Sequence, residues 1–156
     1  MEYEKARSYI DESHRFGGEV SLKAITGFLA RLGNPQDDLQ FIHIAGTNGK
    51  GSVGAYLASV LQEAGYKIGR FVSPTLYAYR ERIQINGNYI AREDFGRLMD
   101  PIAGVIEEIK KNQEPLPSPF EIETALSFLY FREQKCDLVL LECGMGGLND
   151  ATNVIK

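Results

Sequence analysis

Phe41-Ile-His-Ile-Ala-Gly-Thr-Asn-Gly-Lys-Gly-Ser52 decides the fold. An apolar run, Phe41–Ile44, enters a glycine-rich turn that carries a lysine and a hydroxyl, and the turn opens into the helical stretch Ser52–Leu61. Gly46, Gly49 and Gly51 can take φ > 0 and let the backbone close around an anion without Cβ clashes. A helix beginning near Gly51 aims unpaired N–H groups and the positive end of its dipole at the same spot. Lys50 is then placed to reach terminal phosphates, and the Ser52 hydroxyl to ligate Mg²⁺. The stretch departs from G-x-x-x-x-G-K-[ST], because position 44 is Ile and Gly51 separates Lys50 from Ser52. An ordinary strand–helix turn with an incidental lysine is the bland alternative; nucleotide binding is the preferred reading.

A second stretch points to the same place. Asp137-Leu-Val-Leu-Leu-Glu142 is an apolar run ending in a carboxylate and followed by Cys143-Gly-Met-Gly-Gly147. Such a run suits a parallel strand buried on both faces, and ligands of open α/β sheets lie beyond the carboxyl ends of the strands. If this strand neighbours Phe41–Ile44, Glu142 and Ser52 meet at one magnesium, which favours a few anionic oxygens plus phosphates and water. Otherwise Glu142 simply caps a strand at the surface.

At 156 residues, 44% hydrophobic and 24% charged, the chain has the composition of one soluble globular domain. A net charge of −4 gives no support for nucleic-acid binding, so phosphate must be held by local geometry. No run approaches the ~20 apolar residues of a membrane span. The start, Met1-Glu-Tyr-Glu-Lys5, lacks the order of a signal peptide, which makes the cytoplasm the expected location. Cys136 and Cys143 sit at opposite ends of one expected strand, roughly 23 Å apart and too distant for a disulfide. His43, inside an apolar strand, reads as a satisfied core histidine, and His14 as the end of a polar helix.

The expected organisation is a helical lead-in over 1–35 and an α/β core over 36–156. Helices are expected over 3–14, ending before Phe16-Gly17-Gly18, and from a Ser21 cap to Gly33-Asn34-Pro35. A strand over 40–45, a helix over 51–64 and a strand over 67–72 form the first βαβ unit. Ser73–Tyr79 leaves a strand end as a loop, Arg82–Asn86 alternates, and Asn86-Gly87 turns a hairpin into Tyr89-Ile90. Helices follow over about 93–111 and 119–134, split by the Pro-rich Glu114–Pro119. Ile122, Ala125, Leu126, Leu129 and Tyr130 share one helical stripe and form core. Asn149–Lys156 reads as a loop with the next strand starting.

Four motifs stand in order: Ala45-Gly-Thr-Asn-Gly-Lys-Gly-Ser52, Ser73-Pro-Thr-Leu-Tyr-Ala-Tyr-Arg-Glu-Arg-Ile83, Ser118-Pro-Phe-Glu121 and Glu142-Cys-Gly-Met-Gly-Gly-Leu-Asn-Asp-Ala-Thr-Asn153. With them the chain resembles the folylpolyglutamate synthase/dihydrofolate synthase family, relatives of the Mur peptidoglycan ligases, from its first helix to its last residue. One departure is Thr75, where the family usually has the His of Ser-Pro-His-Leu. The resemblance implies a P-loop-type, mostly parallel α/β sheet flanked by helices, like the Mur ligase central domain but truncated. The family's fold continues with further strands and a carboxyl-terminal domain, so the chain is expected to be an amino-terminal fragment.

The implied activity is an ATP-dependent ligase that joins L-glutamate to a folate or dihydropteroate carboxylate through an acyl phosphate, using ATP and Mg²⁺. Lys50 would neutralise phosphate charge, and Thr47, Asn48, Gly49, Gly51 and Val53 would offer backbone N–H groups. Ser52 and Glu142 would hold one magnesium, and Ser73 would help with a second. Phe120 and Glu121 would line the pterin cleft, although by pattern alone they are a hydrophobic anchor and a dipole-favouring carboxylate. Tyr77, Tyr79, Arg80 and Arg82 are either a solvated loop or a flap over nucleotide and folate, with Arg82 facing substrate. The parent is expected to be monomeric. The fragment alone is expected to be inactive and to self-associate through apolar edge exposed after Val154-Ile155. The rivals are a Mur-type amino-acid ligase, whose members usually carry Thr-Thr where this chain has Gly51-Ser52, and a nucleotide-binding module without catalysis.

Overall fold

A computed structural model of the chain describes residues 1–13 and 22–156. His14, the Phe16-Gly17-Gly18 helix stop and the Ser21 cap lie outside the described residues. The helices are α1 (Tyr3–Ser13), α2 (Leu22–Arg31), α3 (Lys50–Glu63), α4 (Arg92–Lys111) and α5 (Pro119–Glu133). The strands are β1 (Phe41–Ile44), β2 (Ile68–Phe71), β3 (Ile83–Ile85), β4 (Asn88–Tyr89) and β5 (Leu138–Glu142). They form one sheet in the order β1-β5-β2-β3-β4.

β5, the last strand in sequence, inserts between β1 and β2 and runs parallel to both. Its apolar run is what a strand with two parallel neighbours and two covered faces requires. β3 and β4 add an antiparallel edge. The β3–β4 hairpin turns at Asn86 and Gly87, whose φ of 47° and 79° are the paired positive values of a tight hairpin turn.

Strand alternation divides the core in two. Phe71, Val139 and Leu141 join the large cluster built on α1, α2, α4 and α5. Ile44, Ile68 and Leu140 face the other way and pack with Ala58 of α3 in a small cluster. α5 is buried on every side from Glu121 to Phe131, because the sheet covers one flank and the other helices cover the rest.

The expected α/β architecture holds, with three local corrections. α3 begins at Lys50 with Gly49 as its cap, so Gly51 is helical and its φ is not positive. A 3-10 turn over Tyr79–Arg82 occupies the expected start of the third strand. Asp150 caps a final 3-10 turn, Ala151–Val154, where a new strand was expected. Val154 and Ile155 pack against the large core, and the outer strands of the sheet are β1 and β4.

Candidate functional site

β1 and β5 end side by side, with Ile44 in register with Glu142. Beyond Ile44 the chain exposes Ala45–Gly49 and turns into α3 at Gly49, whose φ of 79° costs a glycine little. No side chain caps α3. Its first-turn N–H groups, those of Lys50, Gly51 and Ser52, are therefore left for an external acceptor. Lys50 folds back so that Nζ donates to the Gly46 carbonyl at 2.8 Å, which holds the ammonium over the loop.

Glu142 is 7% exposed. Burial raises its carboxyl above the usual range, while Lys50, Arg70 and the Ser73 backbone N–H, which donates to it, pull in the opposite direction. Ser73 leaves the end of β2, so three strand ends converge on this carboxylate. A cavity of about 310 Å³ opens there, lined by Gly51, Arg70, Ser73, Glu81, Gln84 and Glu142 among others. It brings the start of α3, next to Ser52, together with Ser73 and Glu142.

A second cavity, about 260 Å³, lies on the α5 side of the same strand ends and is lined by Ser73, Ser118, Phe120, Gly144, Met145, Asp150 and Ala151. Ser73 lines both cavities. Phe120 packs at a tilt against Phe71, 5.6 Å between ring centroids, and closes on Gly144, where a Cβ would come within 2.6 Å of the ring. Any side chain at 144 would have to displace that ring.

Glu121 does not line either cavity. Its Oε2 accepts the Ser118 N–H at 2.7 Å, and Ser118 Oγ accepts the Glu121 N–H at 3.3 Å. This is a capping box, and it fixes the turn that presents Phe120. Glu121 Oε1 is buried without a partner.

Arg82 also turns away from both cavities. It pairs with buried Glu123 of α5, which accepts the Tyr79 hydroxyl as well. Arg7 of α1 covers the Tyr79 ring at 3.2 Å. Arg80 donates to the Ile90 carbonyl at 2.6 Å, and Tyr77 is 89% exposed. The aromatic–cationic cluster therefore splits: Tyr79 and Arg82 anchor the loop to the core, and Leu76 and Tyr77 form its free tip. Glu81 sets that tip by accepting the N–H groups of Leu76, Tyr77 and Ala78 at 3.1, 2.8 and 3.4 Å. These bonds hold its carboxyl below the usual range.

One network was missed in the sequence. Asp150 accepts the Met145 N–H at 2.6 Å through Oδ2, and the Thr152 N–H at 2.9 Å and hydroxyl through Oδ1. His43 Nε2 lies 2.7 Å from the Thr152 hydroxyl and 2.9 Å from Cys143 Sγ. With its proton on Asp150, the Thr152 oxygen is an acceptor for His43 Nε2. Burial lowers the His43 pKa and raises that of the Cys143 thiol, so both groups are neutral fixtures beneath the loop. The reading of His43 as a satisfied core histidine holds. Asp-Ala-Thr, a side chain capping two residues ahead, was the available signal.

No family model matches the chain. Over 155 residues it is 42% identical to the dihydrofolate synthase/folylpolyglutamate synthase of Bacillus subtilis, an alignment covering 99% of this chain and 36% of that protein. Over 137 residues it is 43% identical to the dihydrofolate synthetase of Saccharomyces cerevisiae, covering 88% and 31% respectively. The crystal structure of a Thermotoga maritima folylpolyglutamate synthase superposes with a TM-score of 0.91 at 39% identity, over 99% of this chain and 36% of that one. An FPGS–AMPPCP–folate complex superposes with a TM-score of 0.91 at 34% identity, over 99% and 38%. The chain thus spans about a third of the length of the relatives it matches. Across that span, in sequence and in fold, it belongs to the folylpolyglutamate synthase/dihydrofolate synthase family.

Proposed function

We propose that the chain forms the phosphate- and metal-binding part of an ATP-dependent ligase that joins L-glutamate to the carboxylate of folate or dihydropteroate. The observation that carries this reading is Ser73. It stands in the wall shared by the cavity beside α3 and the cavity against Phe120, with its N–H on Glu142. A phosphate on one side and a pterin-bearing carboxylate on the other would meet at that residue.

Each side chain then has a task. Lys50 leaves the Gly46 carbonyl for the β/γ-phosphates, and the amides of Thr47, Asn48, Gly49, Gly51 and Val53 cradle them. Ser52, Ser73 and Glu142 offer only hard oxygens. Among the described residues no group of three or more His, Cys, Asp or Glu could cage a metal. That donor set fits Mg²⁺, which keeps waters and phosphates as its remaining ligands. Bound there, magnesium would neutralise charge on the transferring phosphate. Phe120 offers a face to a flat ring. Glu121 and Arg82 act from behind, one fixing the turn of Phe120 and the other anchoring the 73–81 loop.

Positioning decides whether such chemistry runs, since a misplacement of about 1 Å can cost ~10²-fold. The chain taken alone is expected to bind nucleotide without turning over, and to self-associate through the β1 edge and the exposed Val53, Tyr56 and Val60 of α3. Among the described residues no helix is long and apolar enough to cross a membrane, and we place the protein in the cytoplasm.

The test is equilibrium dialysis of MgATP against the chain and its Lys50→Ala variant. Loss of a charge-assisted contact predicts roughly 10-fold weaker binding or more, with an unchanged melt. Equal affinity would remove the phosphate site.

A further inference from the structure

Arg70 has no part in the reading above, yet it lines the cavity beside α3. It sits in the middle of β2, paired with Leu140 on one side and Gln84 on the other. Both its neighbouring strands are short of cations on this face, and Arg70 reaches up the sheet toward α3. Its guanidinium donates to the Gly51 carbonyl at 3.3 Å. Gly54 leaves room beside it: a Cβ there would lie 3.3 Å from Arg70 Nη2 and 3.5 Å from Ile44 Cδ1, so a side chain would press on the guanidinium. The helix start has thus given up a side chain where the guanidinium lies.

The same cavity is lined by Glu142 and Glu81. A buried carboxylate such as Glu142 is costly unless a counter-charge stands near it. Glu81 gives one oxygen, Oε2, to three backbone N–H groups of the loop tip. Arg70 is therefore the group that touches the first turn of α3 while standing among the carboxylates of the strand ends.

We propose that Arg70 is a positioning residue of this corner. Its guanidinium clips the first turn of α3 to β2 and, beside Lys50, serves as a resident counter-charge of Glu142, a place that an incoming divalent cation must share. The idea rests on the reading of Glu142 as a cation ligand. Two opposite consequences follow from one charge. Removing it relieves repulsion on a divalent ion, and it also removes attraction for the phosphates of a metal-free nucleotide.

Mn²⁺ binding to the nucleotide-free chain, followed by electron paramagnetic resonance at pH 8, separates these roles. Arg70→Gln should bind Mn²⁺ about fivefold more tightly than the unaltered chain, as expected for one unit charge several ångströms from a divalent ion near water. The same variant should bind metal-free ATP several-fold more weakly. Arg70→Lys keeps the charge and should restore Mn²⁺ affinity to near the starting value. A packing role alone would move the melt and leave Mn²⁺ affinity unchanged or weaker.

Unchanged or weakened Mn²⁺ binding in Arg70→Gln overturns the proposal, as does a lysine variant that behaves like glutamine. Glu142→Gln, measured alongside, keeps the two readings apart. If it abolishes Mn²⁺ binding while Arg70→Gln has no effect, Glu142 stands as a ligand and Arg70 alone falls. If it binds Mn²⁺ like the unaltered chain, the metal assignment falls.

Discussion

The two faces of the sheet are built to different standards. On one face α5 is buried from Glu121 through Phe131, under α1, α2 and α4, with five phenylalanines among the fully buried side chains of the molecule. On the other face α3 packs its Ala58 on just three buried sheet residues, and its outer side leaves Tyr56 77% and Val60 67% exposed. Packing is concentrated on the first face, and the proposed phosphate site lies on the rim of the second. The loop at 45–49 can be glycine-rich and uncapped because the fold does not depend on it. Ser73 belongs to both faces, and that makes the contrast useful: one strand end connects a rigid wall to a charged, open corner.

The largest expected effect breaks this contrast most directly. Phe131 is fully buried, and its ring lies against Gly69 of β2, where a Cβ would come within 2.7 Å. Phe131→Ala should cost about 3–5 kcal/mol in urea-induced unfolding. Val60→Ala on the outer side of α3 should stay within about 0.5 kcal/mol. Comparable losses from the two would mean that α3 is packed as firmly as α5. Next in size is Glu123→Gln, which removes the charge facing Arg82 and leaves a buried guanidinium whose Nε already lacks a partner. A loss of about 3 kcal/mol is expected. A loss near zero would mean that Arg82 is free to serve the cavities after all.

What could be read beforehand follows the same division. The strand-end convergence was legible, because an apolar run ending in Glu142 and a glycine turn after Ile44 are local patterns with one common physical use. The depth of α5 was only half legible. Ile122, Ala125, Leu126, Leu129 and Tyr130 marked one stripe, and the polar Thr124 and Ser127 fall outside it. Their hydroxyls donate to the carbonyls of Phe120 and Thr124 at 2.7 Å each, so the polar atoms are satisfied within the helix and the side chains can be buried. Arg82 misled for a different reason. Its partner Glu123 lies on another element, and pairing across distant elements leaves no periodic trace. Asp150, His43 and Thr152 were hidden in the same way.

The smallest effect sharpens the comparison most, because its sign is opposite. On the α5 face every truncation should destabilise. At Glu142 the chemistry opposes stability: burial raises the carboxyl pKa in the folded chain above its unfolded value. Such a group favours folding in its protonated form, and this contribution is fully present below the unfolded pKa and is lost as pH rises through the folded one. In its ionised form Glu142 is therefore a net burden that Lys50, Arg70 and the Ser73 N–H only partly offset. Glu142→Gln, neutral at every pH, should melt slightly higher than the unaltered chain at pH 7 without divalent ions. The gap should close as the pH falls below the ordinary range of a glutamate. Added Mg²⁺ should raise the melt of the unaltered chain and leave the glutamine variant where it was. A variant that melts lower at pH 7, with the same Mg²⁺ response as its parent, would make Glu142 a structural strand end. The two faces of the sheet would then differ in packing only.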